Sequence, residues 1–130
     1  MLTIEDRHDI AETLALHAYV FDENQLDRLG DLFLSDAVYD LSAAGMGVFH
    51  GVEAIGSAAA RMSASGLAPR AHFVTNVIAT ETGEGAASVR SKGLMIMHDG
   101  AIHAALHDDT LLRHDGRWLI SRRLVTPVEA

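Results

Sequence analysis

No cysteine occurs in the chain, and this removes disulfides, thiolate nucleophiles and zinc–cysteine sites together. Positive charge is scarce: ten Lys plus Arg stand against eighteen Asp plus Glu, for a formal net charge of -8. Such a surface repels a phosphate backbone rather than releasing its counterions, so nucleic acid is not an expected partner. No apolar run approaches the roughly 20 residues of a membrane helix, and no membrane partner is expected. The stretch from Met1 to Ile10 carries acids where a signal peptide would have a basic start and an apolar core, which predicts a cytoplasmic location. Ser and Thr are scattered without a G-x-S-x-G elbow, so a serine nucleophile has no support. The glycines of Gly45-Met46-Gly47-Val48-Phe49-His50-Gly51 have the wrong spacing for a dinucleotide loop, and no suitable strand-to-helix turn accompanies them.

What is present fits one core. A chain of 130 residues, 48% apolar and 22% charged, predicts a single domain over residues 1–130. Its chemistry must come from eight histidines, carboxylates or hydroxyls. Thr3 and Asp6 form a loose capping box, and Ile10, Leu14, His17 and Phe21 then recur at helical spacing beside Ala11, Ala15 and Ala18, predicting a helix over 3–22. Asp22 closes the small-residue stripe that should face the core, an unexpected place for a carboxylate. Leu26, Leu29, Leu32 and Phe33 predict a second short helix. Residues 37–42 alternate as a strand that Gly45 and Gly47 end, and the Ala-rich run 52–65 predicts a third helix before Gly66 and Pro69. Four strand patterns follow, at 71–80, 86–98, 101–113 and 117–125, separated by Thr82-Gly83-Glu84-Gly85, Asp99-Gly100 and Asp115-Gly116. Helices first and an antiparallel meander second define an α+β domain whose sheet curves over its helices.

Five of the eight histidines, His72, His98, His103, His107 and His114, lie in this sheet half. A two-residue turn at Asp99-Gly100 pairs His98 with Ala101, Ile96 with His103, Leu94 with Ala105 and Lys92 with His107. One face is then a mixture of apolar and imidazole groups, while the other, with Met95, Met97, Ile102, Ala104 and Leu106, is wholly apolar. The mixed face suits a pocket and the Met-rich face a homodimer interface, with the reverse assignment left open. No metal is expected: His103 and His107 have the i, i+4 separation of helical zinc ligands, but on a strand that separation spans roughly 13 Å.

The runs Phe21-Asp22, Leu26-Asp27-Arg28-Leu29, Asp36-Ala37-Val38-Tyr39-Asp40, Gly51-Val52-Glu53-Ala54-Ile55, His72-Phe73-Val74-Thr75-Asn76 and Asp115-Gly116-Arg117-Trp118, taken in order, resemble the SnoaL-like branch of the nuclear-transport-factor-2-like superfamily. The resemblance covers nearly the whole chain and implies a cone-shaped barrel with N-terminal helices packed on a curved, mostly antiparallel sheet around a deep pocket, usually dimeric. Asp22 and His72 fall where scytalone dehydratase and hexachlorocyclohexane dehydrochlorinase carry their catalytic pair. A second pocket histidine of scytalone dehydratase falls close to His98 and its pocket asparagine at His107. Its two water-binding tyrosines correspond to Phe21 and Leu41. Tyr39, two residues before Leu41 on the same strand face, is the available substitute. The pocket arginine of the dehydrochlorinase matches Arg123. A two-residue loop at Asp115-Gly116 would put Arg122 on the face of His107 instead, whereas a three-residue loop with a bulge at Gly116 selects Arg123.

An imidazole titrates near 6.5, so His72 can take a proton near neutrality, with Asp22 fixing its tautomer and stabilising the imidazolium. The candidate catalytic set is therefore His72, Asp22, His98 and Tyr39. Phe21, Leu41, Leu94, Ile96, His107 and Arg123 are the candidate pocket, and His8, His17, His50 and His114 are assigned to surface or packing. These residues predict a cofactor-independent lyase or isomerase acting on a small, largely apolar molecule. Two rivals stand beside it: a polyketide-cyclase or steroid-isomerase-like enzyme with a carboxylate base, and a non-catalytic binding or assembly module, which would not need His72 and Asp22 within hydrogen-bond reach.

Overall fold

The computed structural model describes residues 1–128. Its order is α1 (Ile4–Asp22), a 3-10 helix (Leu26–Asp31), β1 (Phe33–Asp40), a 3-10 turn (Ser42–Ala44), β2 (Val48–His50), α2 (Val52–Ser65), β3 (Ala71–Gly83), β4 (Ala86–Ile96), β5 (Ile102–His114) and β6 (Arg117–Pro127). The strands form one sheet in the order β2-β1-β6-β5-β4-β3. The β1–β6 pair is parallel and every other pair antiparallel. The architecture is the expected α+β arrangement, helices on a mostly antiparallel sheet.

The capping box at the start of α1 is complete: Thr3 Oγ1 accepts from the Asp6 N–H (3.0 Å) and Asp6 Oδ2 accepts from the Thr3 N–H (2.9 Å). With the Trp118 indole added as a donor to Asp6, these bonds hold the Asp6 carboxyl down to about 2. Trp118 also fixes α1 on β6. Its N–H donates to Asp9 (2.7 Å), and its carbonyl accepts from the buried Thr13 hydroxyl (2.7 Å). From that anchor α1 lays Ile10, Leu14, His17 and Val20 inward. The apolar core joins Ile10, Leu14 and Val20 to Leu29, Phe33, Val89, Leu111 and Ile120.

Two elements differ from expectation. The second helix is a six-residue 3-10 helix ending at Asp31, and Phe33 already belongs to β1, which runs over 33–40 rather than 37–42. Fully buried Leu32 and Phe33 are apolar in succession, a pattern that fits the start of a two-sided buried strand as well as a helix. The short edge strand β2 pairs Phe49 with Tyr39, although three residues after two glycines are too few for any periodic signal.

The hairpin between β4 and β5 departs from the expected register. Met97 N–H donates to the Ala101 carbonyl (2.8 Å), Gly100 N–H to the Met97 carbonyl (2.9 Å), and Asp99 accepts from the Ala101 N–H (3.0 Å). The loop therefore holds three residues, with Gly100 at φ +88°, instead of the two-residue turn. Sliding one residue exchanges faces: Met95 now pairs with His103, Gly93 with Ala105, Ser91 with His107 and Leu94 with Ala104. The Met-rich face is thereby divided. Met95 joins the imidazole face, and Leu94 and Ile96 join Ile102, Ala104 and Leu106 on the other.

The β5–β6 connection is a two-residue turn, His114 pairing with Arg117 around Asp115 (φ +49°) and Gly116 (φ +78°). That turn alone would aim Arg122 at the face of His107. The register shifts between Thr110 and Leu111, leaving Ser121 as an extra residue, and beyond it Arg123 pairs with Asp109 and Arg122 with Thr110. A bulge at Ser121, not at Gly116, thus selects Arg123. A second bulge lies in β3 around Asn76 (φ +55°), a conformation asparagine tolerates.

Candidate functional site

The inner sheet face grades from core to opening. Ala87, Leu111 and Ile120 are fully buried; beyond them the rows become Asp109–Arg123–Tyr39, then Ser91–His107–Val125, then Val74–Gly93–Ala105, then His72–Met95–His103. With α1 and α2 this face encloses a cavity of about 1140 Å³. The walls are chiefly apolar, including Leu14, Phe49, Ile55, Met62, Met95 and Val125, with a smaller number of polar side chains set among them, as in most small-molecule sites.

Asp22, the last residue of α1, and His72, the second residue of β3, meet at this wall. Asp22 Oδ1 lies 2.5 Å from His72 Nδ1, and Asp22 Oδ2 accepts from the His72 backbone N–H at 2.9 Å. One carboxylate therefore fixes both the strand end and the ring. A carboxylate only accepts, so the proton of a neutral His72 sits on Nδ1 and the Nε2 lone pair is left for the cavity. Their side chains are 22% and 20% exposed, close enough to solvent to exchange protons.

Deeper in, Tyr39 OH lies 3.0 Å from His17 Nε2. His17 is buried, stacked on Phe21 at a ring separation of 4.2 Å and set edge-on to His72 at 5.7 Å. Burial, then the charges of Arg123, His72 and His107, push His17 well below the usual imidazole range. Burial raises Tyr39, against the pull of Arg123, so the phenol stays neutral. His107 is pushed down to about 3, by burial first and then by Arg123 and His72. Its ring lies over Gly93, where an added Cβ would stand 2.6 Å from the imidazole Cε1; only glycine leaves that space. Arg123 Nε and one Nη donate to Asp109 at 2.8 and 2.9 Å, both side chains being almost wholly buried. Burial opposes the guanidinium charge, yet Asp109 more than offsets it and holds Arg123 above its ordinary range.

Of the residues singled out in the sequence, Asp22, His72, Tyr39, Phe21, Leu41, His107 and Arg123 line the cavity. Leu94 borders it from a strand position paired with Phe73 and Ala104, not with Ala105. His98 and Ile96 do not line it: the three-residue loop leaves His98 exposed in the turn and pairs Ile96 with Ile102. Arg122 points elsewhere and donates to Asp40 at 3.0 Å. His17, assigned to surface or packing, is a cavity residue; its place in the Ile10, Leu14, Phe21 stripe was the available signal. Asp109 was legible only as the next alternate position after His103, Ala105 and His107. Among the described residues no three His, Cys, Asp or Glu side chains converge in a way that would hold a metal ion.

This arrangement, a curved sheet closed over N-terminal helices with a cavity inside, defines the cone-shaped, nuclear-transport-factor-2-like or cystatin-like class of α+β domains. Within it, residues 2–124 match the SnoaL-like domain, and the chain belongs to that family. A structure from Novosphingobium aromaticivorans, provisionally named an aromatic ring hydroxylase, is 25% identical with a TM-score of 0.85, covering 100% of this chain and 94% of that one. LinA is 21% identical, TM-score 0.83, covering 97% and 88%. A protein provisionally named a scytalone dehydratase, also from Novosphingobium aromaticivorans, is 21% identical, TM-score 0.81, covering 97% and 86%. No curated protein sequence matches the chain. At these identities the likenesses establish the fold, and the fold serves many chemistries.

Proposed function

We propose that the chain is a cofactor-independent lyase or isomerase that moves a proton on a small, largely apolar organic molecule. The observation that carries this reading is the Asp22–His72 contact at 2.5 Å on the wall of an apolar cavity. His72 Nε2 takes a proton from a carbon activated by a neighbouring carbonyl or leaving group, and Asp22 stabilises the imidazolium that forms. The C–H electron pair moves into a new double bond. It either loads the carbonyl oxygen, which the neutral Tyr39 hydroxyl is available to meet, or expels the leaving group. The imidazolium then returns its proton, to another carbon in an isomerisation or to the departing oxygen in an elimination.

A carboxylate base, as in the polyketide-cyclase or steroid-isomerase rival, has weaker support. Asp22, the carboxylate that lines the cavity, is occupied by His72, and Asp109, buried behind the wall, is held by Arg123. A non-catalytic module would not need the dyad within reach. The relatives named a scytalone dehydratase and LinA share this fold, which agrees with elimination chemistry without selecting a substrate. Carbonyl and hydroxy-carbonyl compounds incubated with the protein in D2O test the reading by NMR. The expected result is elimination or exchange of a C–H adjacent to the carbonyl that is lost in His72→Ala; exchange unaffected by His72→Ala would overturn it.

A further inference from the structure

We propose that the deep end of the cavity is a receptor for one uncharged carbonyl or hydroxyl oxygen, contacted by the Tyr39 hydroxyl, and that His17 is the residue positioning that hydroxyl. The proposal rests on the preceding section in taking this cavity as the substrate site and Tyr39 as a donor to a substrate oxygen; the positioning by His17 and the selection against an anion go beyond it. His17 is immobilised by its surroundings: buried, stacked on Phe21, edge-on to His72 and within 6.3 Å of the Phe33 ring. Tyr39 in turn lies with its ring 5.7 Å from Phe33 and 6.3 Å from Phe21. The 3.0 Å contact between His17 Nε2 and Tyr39 OH therefore joins two rings that packing already holds. With the His17 proton on Nε2, that nitrogen donates to the phenol oxygen, and the phenol proton is free to be donated to a ligand oxygen. The same bond polarises the phenol toward donation.

The charges around this point select against an anion. Arg123 is the buried cation of the lining; its Nε and one Nη serve Asp109, and the guanidinium also interacts with Tyr39. Asp22 and Asp109 are both in the vicinity, so a ligand carboxylate would bring further negative charge to a region whose guanidinium is already paired. His17 and His107 supply no compensating charge, because burial keeps both neutral. Arg61 and Arg70 also border the cavity, but they are exposed and would hold an anion near solvent rather than beside Tyr39. A neutral oxygen needs no counter-charge, only a donor, and the Tyr39 hydroxyl is one.

Three probes of one shape test this: 2-acetylnaphthalene, 2-naphthoate and naphthalene, each titrated calorimetrically at pH 7.5. The ketone is expected to bind about tenfold more tightly than either of the others, the worth of one hydrogen bond. Tyr39→Phe and His17→Phe should each reduce the ketone to the level of naphthalene, the double variant should fall no further, and His17→Gln should restore most of the preference. Heteronuclear NMR of the imidazoles should show the Nε2–H tautomer of His17. Naphthoate binding as tightly as the ketone, a ketone preference that survives Tyr39→Phe, or failure of all three probes to bind would overturn the proposal. Tyr39→Phe removes one oxygen atom and keeps the ring, so the result is readable even if His17→Phe does not fold. His72→Ala should keep the binding order, which separates this outcome from the fate of the proton-transfer mechanism.

Discussion

His72 and Asp22 are fifty residues apart in the chain and share a carboxylate that holds ring and backbone at once. If they work as one unit, His72→Ala and Asp22→Asn should each slow turnover by on the order of 10²-fold or more, and the double variant should be about as slow as the worse single one. Steady-state kinetics, with circular dichroism to verify folding, measure this. Gly93 acts by what it omits. Gly93→Ala puts a methyl inside contact distance of the His107 ring, and overpacking of that kind costs about 1–3 kcal/mol, readable as a lower denaturation midpoint. The buried imidazoles also set a pH dependence. His107 falls from 6.5 to about 3 on folding, and His17 falls as well, so the unfolded chain takes up protons that the folded chain refuses. Their contribution to stability is complete above about pH 6.5 and is lost as pH falls toward 3. Thermal melts should show a midpoint declining across that window, with a shallower decline in His107→Leu.

At the scale of elements, two single-residue irregularities decide what the strands present. The three-residue loop at Asp99-Gly100 aims Met95 inward and leaves His98 in solvent, and the extra residue Ser121 aims Arg123 inward and Arg122 at Asp40. Neither is visible in alternation, because both turn sequences are compatible with either length and Ser121 carries no bulge signature of its own. The Arg123–Asp109 pair joins β6 to β5 in the dry interior. Asp109→Ala should cost about 3–5 kcal/mol by stranding the guanidinium, whereas replacing both partners with Leu and Met should cost far less. Urea titrations of the two variants measure the difference. The 3-10 helix after α1 belongs to the same scale: its leucines pattern like a longer helix, but packing of Leu32 and Phe33 into the sheet ends it early.

For the whole molecule, the divided Met-rich face changes the surface on which a dimer is expected. The outer face now carries Phe73, Leu94, Ile96, Ile102, Ala104 and Leu106 in neighbouring positions, with Phe73 51% and Ile102 67% exposed. An apolar patch on a sheet is normally covered. A second copy of the chain is the expected cover, and sedimentation at micromolar concentration should give a dimer that Ile102→Asp converts to monomer. No helix among the described residues is long and apolar enough to cross a membrane.

The capping of α1, the extent of α2 and the meander of β3 to β6 followed from local pattern, because each depends on neighbours within a few residues. The candidate pair Asp22 and His72 was legible for another reason: a carboxylate at the end of a core-facing stripe is costly without a partner, and family resemblance named that partner. The inward groups that surround the pair were decided only by tertiary structure. A register slip or a bulge costs one residue in the sequence and exchanges the two faces of a strand, which is why His98 and Ile96 left the site and Met95 entered it. His17 shows the same limit on a helix. Its position in the apolar stripe was plain, but a buried histidine beside a valine or a phenylalanine is packing, and beside the Tyr39 hydroxyl it is a hydrogen-bonding group; only the fold brings that hydroxyl to it.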